Sequence, residues 1–301
     1  MTLLSTPRST TKDVAIALQT SKASTRKERL FQLFLLFSTL VGLVILVVLL
    51  VDIVVDGFSS LDLGFFTDYT SRRPEDTGIR AGLTGTLSLM VLVALIAFPI
   101  GVGSAIYLES FAPRTWFTRF MQLNITNLAG VPSVVYGLLA AALFAYILNF
   151  GRTLITGALA LVLLILPVII VAGKESIKAV PPSIYQGAIA LGATPWQAVY
   201  KQVLPVAMPG ILTGTILALS RAIGEAAPIL VAGAVFSRRA DSEPWNLTEP
   251  FAALPVQIFD FVKRPQEAFQ VEVAAAGILV MLFVLLLMNS AAIVLRNRYS
   301  K

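Results

Sequence analysis

The chain has 301 residues, 56% apolar and only 13% charged, with a mean hydropathy of +0.82. A globular domain carries about 25% charged residues to coat its surface, so this composition belongs to a bilayer protein. The absence of His and Cys excludes Ser-His triads, imidazole shuttles, thiolate zinc sites and disulfides, and the net charge of +6 falls in loops between apolar stretches, where the membrane surface accounts for it better than nucleic acid does.

In chain order, residues 1–29 are rich in Ser, Thr, Lys and Arg, a composition that predicts a disordered tail. Six long apolar stretches follow, at 30–51, 81–108, 123–148, 153–172, 208–236 and 273–295. Each can cross a hydrocarbon core of about 30 Å, which takes about 20 helical residues. Backbone polar groups in lipid must bond internally, so the stretches are helices, and the run 41–51 lacks the alternation of an outer-membrane barrel. The first stretch is too long for a signal peptide and is followed by no small-residue cleavage pattern, so it counts as a span. The expected fold class is all-α, a polytopic membrane protein with six transmembrane helices.

With both termini inside, the inner tails and loops carry fourteen Lys and Arg residues and the outer loops eight, Arg221 being the remaining one of the 23. This asymmetry puts both termini in the cytoplasm. The expected organisation is a tail at 1–29, a first helix at 30–55, an outer loop at 56–80, a core at 81–295 with an inner loop at 174–206 and an outer loop at 237–272, and a tail at 296–301. Phe65, Phe66, Tyr69, Trp245 and Phe251 in the outer loops read as an interfacial aromatic belt or as a docking surface for an outer partner.

The inner loop is punctuated by residues with narrow conformational preferences. Pro181 and Pro182 end one helix and start a short one, Gly192 ends that one in a left-handed conformation, and Thr194, Pro195 and Gln197 form a capping box for a second. Leu204-Pro205 is expected to break the second helix before the fifth span. Two short helices meeting at Gly192 make a knob carrying Ile184, Tyr185, Ala188, Leu191 and Trp196, suited either to a groove on a soluble partner or to the bilayer surface, with Trp196 and Tyr200 as anchors. The spacing from Gln186-Gly187-Ala188 through Gly192 to Leu204-Pro205 resembles the E-A-A-x3-G-x9-I-x-L-P loop of binding-protein-dependent ABC permeases, with Gln186-Gly187 in place of Glu-Ala and Gln202 in place of Ile. The resemblance implies that Gln186, Gly187, Ala188, Gly192, Leu204 and Pro205 couple the chain to a nucleotide-binding subunit. No phosphate-cradling loop is present, since Gly173-Lys174 is followed by Glu175 and lacks the earlier glycine. ATP and Mg then belong to the partner ATPase, and this chain is a transport subunit without an enzyme's site or a cofactor.

The fifth stretch contains two charges, Arg221 and Glu225. A charge at bilayer depth costs several kcal/mol on insertion scales, and it persists only with a partner, water or a role. Read as a helix, the i, i+4 pair lies on one face with Gly210, Gly214 and Ala218, and the Gly-x-x-x-Gly step permits close helix contact, making this an interior face. Two readings stay open: a static clamp between helices, or the lining of a wet anion path. In the second, the Arg fork suits a tetrahedral oxyanion and the nearby Glu moderates how tightly it is held.

The string Ser220-Arg221-Ala222-Ile223-Gly224-Glu225-Ala226-Ala227-Pro228 resembles the permeases of the Pst phosphate system. Gly101 with 105–109, the run from Gly130 to Gly137, and Leu254-Pro255-Val256-Gln257-Ile258 resemble them too, and the run 274–278 with the basic tail favours the A-type subunit. The resemblance implies the MetI-like type I importer permease fold, Arg221 and Glu225 as transport-critical charges, inorganic phosphate as substrate, and a bacterial plasma-membrane complex with a homologous PstC permease, a PstB ATPase dimer and the binding protein PstS. The rival readings are a secondary anion transporter or channel gated by the Arg-Glu pair without an ATPase, and a nontransporting scaffold. Asn124, Asn127, Tyr136 and Asn289 read as helix-to-helix or interfacial groups, and Pro99, Gly101 and Gly103 as small-residue packing with room for a kink.

Overall fold

The computed structural model describes the backbone of residues 11–235 and 246–299 and the side chains of 26–235 and 246–298. It divides into two compact units, 1–55 and 56–301. The first is almost wholly one helix, α1 (Thr11–Phe58), whose last residues belong to the second unit. The helix already includes residues 11–29, where composition predicts a disordered tail. No Gly or Pro occurs between Thr11 and Val41, so nothing interrupts a helix propagating outward from the apolar stretch. Residues 1–10 lie outside the described residues. The apolar side chains from Leu30 to Val51 are exposed, which suits a helix whose solvent is lipid.

The regular elements of the second unit are helices, and no strand occurs among the described residues. After the short α2 (Leu63–Thr67), α3 (Arg80–Ile106) continues into a π-helical turn at Tyr107–Phe111. A bent pair follows, α4 (Trp116–Leu128) and α5 (Ser133–Ala140), the latter extended by a π-helical stretch to Ile147. Then come α6 (Leu154–Lys178), α7 (Pro182–Ala190), α8 (Pro195–Ala198), α9 (Leu204–Ile223), α10 (Ala227–Ala232), α11 (Leu254–Lys263) and α12 (Ala274–Tyr299). α6 is the central helix, packed along α3 and α9; α5 packs on α10 and α6, and α12 on α9.

Five described helices are long and apolar enough to cross a membrane, and six spans result if the bent pair counts as one. The third stretch is therefore not a straight helix. It turns by 107° between α4 and α5, because Pro132 disfavours helical geometry at Val131 and precedes the first helical residue Ser133. The corner is pinned by the Tyr136 hydroxyl, which donates to the Leu128 carbonyl at 2.6 Å.

Glycines set the tightest contacts. A Cβ on Gly214 would lie 2.3 Å from the Ala172 Cβ, and one on Gly210 would lie 2.6 Å from the Ser176 Oγ. The Gly-x-x-x-Gly step thus seats α9 on α6, as its spacing predicts. Gly101 meets Ile169 in the same way, so it serves packing. The Ser220 hydroxyl donates to Asn289 Oδ1 at 2.6 Å, joining α9 to α12, whereas the Asn124 side chain donates to the Phe120 carbonyl of its own helix.

At the end of the bundle away from 174–206, the loops form a packed cap. Gln257 on α11, 1% exposed, accepts from the Gly82 N–H at 3.0 Å and donates to Thr70 Oγ1 at 2.6 Å and to the Gly78 carbonyl at 3.0 Å. One amide thereby closes the 70–78 turn onto α3. Arg264 pairs with Asp260 at 2.8 Å, donates to the Ser71 carbonyl at 2.7 Å and stacks over Phe269. Phe65 and Phe251 are core residues of this cap and not members of an aromatic belt. The Phe251 ring fills the space beside Gly157. Phe66 is exposed, and Trp245 lies outside the described residues.

Candidate functional site

Arg221 is in the last turn of α9, and the helix ends at Ile223 with Gly224 as its cap. Glu225 is therefore outside the helix, in the break before α10, and the pair does not share a helical face as i, i+4 spacing would place it. Gly224 and Pro228 explain the break. Glycine is a poor helix interior residue, and proline is best tolerated in the first turn of a helix, where α10 carries Pro228. The two charges meet all the same: Arg221 Nε donates to Glu225 Oε1 at 3.2 Å.

The environment of the pair is asymmetric. The Arg221 side chain is 46% exposed in this chain and that of Glu225 only 18%. The Gly210–Gly214 part of the stripe packs closely on Ser176 and Ala172 of α6, but its charged end emerges from that contact. The terminal nitrogens of Arg221 make no hydrogen bond among the described residues. Glu225 occupies only Nε, so the planar pair of Nη donors, the part of the guanidinium that grips two oxygens of one anion, is open.

Two of the sequence motifs converge here. Gly137 on α5 lies directly against Pro228 on α10, where a Cβ would come within 2.6 Å of the Pro228 carbonyl oxygen. The neighbouring Tyr136 is near enough to Arg221 to feel its charge. The corner between α4 and α5 and the break between α9 and α10 are thus packed on each other beside the ion pair, a juxtaposition that reading each span as one straight helix misses.

The 174–206 loop has the predicted geometry up to its end. Pro182 opens α7; Gly192 turns the corner at φ +86°; and Thr194 and Gln197 form a reciprocal capping box, Gln197 N to Thr194 Oγ1 at 3.3 Å and Thr194 N to Gln197 Oε1 at 3.0 Å. Gln186, Gly187 and Gly192 are exposed and Ala188 half-buried; Leu191 and Trp196 project as exposed apolar groups. Trp196 stacks on Tyr200 and meets Phe111 at a tilt, with ring centroids 6.0 Å and 5.8 Å away. Leu204-Pro205 does not break the helix. A π-helical stretch at Val199–Val203 leads into α9, so helix is continuous from Pro195 to Ile223. The wider turn relieves the clash that a proline ring makes with the preceding turn. The corner at Gly192 and the guanidinium at Arg221 therefore stand at opposite ends of one rod, about 37 Å from Trp196 to Arg221 at 1.5 Å per residue.

Comparison with known proteins gives this arrangement a context. The family model for the binding-protein-dependent transport system inner membrane component matches residues 97–301. A probable ABC transporter permease protein of Bacillus subtilis, YqgI, is 33% identical over 222 residues, covering 73% of each chain. The phosphate transport system permease protein PstA 1 of Mycobacterium tuberculosis is 35% identical over 220 residues, covering 73% of this chain and 70% of its own. Its counterpart PstA in Yersinia pestis is 31% identical over 245 residues, covering 79% of each. An inward-facing structure of the MetNI methionine ABC transporter matches with a TM-score of 0.59 at 16% identity, over 73% of this chain and 95% of that one, a likeness of fold.

Proposed function

Starting from a chain that belongs to the family of binding-protein-dependent transport system inner membrane components, and so is a multi-pass permease subunit of an ABC importer, we propose that it carries inorganic phosphate inward as the PstA-type subunit of a phosphate importer. The carrying observation is the open Nη pair of Arg221 at the end of the helix that begins in the Gly192 corner. A guanidinium fork matches two oxygens of a tetrahedral oxyanion, and the neighbouring Glu225 limits the depth of the well, so that the anion is released. The relatives named for phosphate transport supply the choice among oxyanions.

In this reading the partners are a PstC-type permease, a PstB-type ATPase dimer and a PstS-type binding protein. ATP and Mg act on the ATPase, and this chain's part is passage. The helical pair carrying Gln186, Gly187, Ala188 and Gly192 docks into the ATPase on the cytoplasmic side, and movement there is delivered along the continuous helix through Leu204 and Pro205 to Arg221. Gln186, where the family pattern has Glu, makes this docking a matter of shape and neutral hydrogen bonds. Both termini are cytoplasmic.

ATP-dependent uptake of labelled phosphate, with labelled sulfate in parallel, by vesicles containing this chain and its neighbouring subunits tests the proposal. Phosphate accumulation that requires ATP is expected. Uptake indifferent to ATP would favour a secondary transporter or channel, and uptake of sulfate in preference to phosphate would reject the substrate.

A further inference from the structure

On the side of the bundle that bears the Gly192 corner, a groove of about 540 Å³ opens between the end of the π-helical turn after α3, the first turns of α4 and the last turn of α6. It contains four cations, Arg114, Arg119, Lys174 and Lys178, against two carboxylates, Glu109 and Glu175. Only Lys178 is paired, with Glu175 at 4.0 Å, both side chains well exposed, an arrangement worth little. Arg114, Arg119 and Lys174 make no ion pair among the described residues. Four cations against two carboxylates leave a net charge of +2 around a groove of ligand size, a standing charge that an anion lowers.

The surroundings indicate which anion. Trp116 and Phe117, at the start of α4, are 78% and 62% exposed, and Trp116 stacks on Phe120 at 5.6 Å. An exposed aromatic step beside cations, where apolar helices leave the bilayer, is the composition of the headgroup layer. We infer that this groove is a binding site for the phosphate of an anionic phospholipid, with Arg114, Arg119 and Lys174 on the headgroup and the Trp116–Phe117 step against the upper acyl chain. Basic pockets between transmembrane helices on the inner side have this chemistry. The assignment to the inner leaflet rests on the orientation proposed above; the headgroup chemistry does not. A phospholipid held here ties the ends of α3, α4 and α6 together beside the Phe111–Trp196 contact, which links the coupling corner to α3.

The test uses the full-length chain purified with its associated subunits in a zwitterionic detergent, stripped of lipid and titrated with cardiolipin, phosphatidylglycerol or phosphatidylcholine, with bound lipid counted by native mass spectrometry. Both anionic lipids are expected to be retained in preference to phosphatidylcholine. The double variant Arg119→Gln/Lys174→Gln is expected to lose that retention by about 10- to 30-fold, whereas Arg119→Lys/Lys174→Arg keeps it, as does Arg72→Gln in the loop that precedes α3. Equal retention by the neutralised variant, or no preference over phosphatidylcholine, overturns the inference. Displacement of the lipid by millimolar inorganic phosphate would assign the groove to the free ion and overturn it as well. Binding in detergent is indifferent to which face is inner, so failure here leaves the orientation and the transport reading standing.

Discussion

A guanidinium that gives only Nε to a carboxylate keeps its two-oxygen fork, and the transport role proposed for Arg221 uses that fork. Lysine keeps the charge and loses the fork. Arg221→Lys is therefore expected to lower phosphate uptake about tenfold or more, since hydrogen bonds to charged groups are worth about 1.5–3 kcal/mol, while leaving assembly intact; full uptake by this variant would show that charge alone suffices. Glu225→Gln removes the moderating charge, so the anion is held more tightly and turnover falls, measurable as slower release in single-turnover uptake; unchanged turnover would remove that role. Elsewhere, Gln257 joins three buried backbone and hydroxyl groups. Gln257→Leu strands them at about 1–3 kcal/mol each before relaxation and is expected to lower the thermal unfolding midpoint in detergent markedly. A midpoint equal to that of the unaltered chain would contradict the hub.

At the scale of elements, the corner at Gly192 was legible in the sequence because each of its residues has few alternatives: a glycine for positive φ, prolines for first turns, a Thr/Gln pair for a box. No Cβ contact would form at Gly192, so the cost of substitution lies in the left-handed conformation, about 1–2 kcal/mol for ordinary residues and least for Asn. Gly192→Val is expected to weaken capture of the ATPase subunit in a pull-down and Gly192→Asn to preserve it; indifference to both would reject the corner as the docking element. The continuity of α8 into α9 was not legible, because a Leu-Pro step reads as a break unless a π-helical turn absorbs it, and no residue pattern announces that turn. The breaks in the third and fifth stretches had visible signals, Gly130 with Pro132 and Gly224 with Pro228. Hydropathy averages across them, and in lipid the broken ends are tolerable where neighbouring helices or polar groups satisfy them, as the Tyr136 hydroxyl does for Leu128.

For the whole molecule, composition and apolar length carried the class and the span number, with the bent pair counted as one. What they could not carry was which apolar residues face protein: Phe65 and Phe251 are as hydrophobic as the exposed Phe66, and only the folded cap separates them. Because the chain contains no cysteine, its orientation can be read directly with single substitutions. Ala193→Cys is expected to react with an impermeant maleimide only in inside-out vesicles and Ser59→Cys only in intact spheroplasts; the reverse pattern would invert the topology.

The transported anion is proposed to be taken by the Arg221 fork. The most direct test is ATP-driven uptake of labelled phosphate into proteoliposomes containing the assembled complex with Arg221 or with Arg221→Gln, each checked for subunit stoichiometry and for ATP hydrolysis in the absence of substrate. Uptake is expected to fall at least about 10- to 100-fold in a complex that still assembles and hydrolyses ATP. Normal uptake by the variant, or a variant whose only defect is failure to assemble, would contradict it.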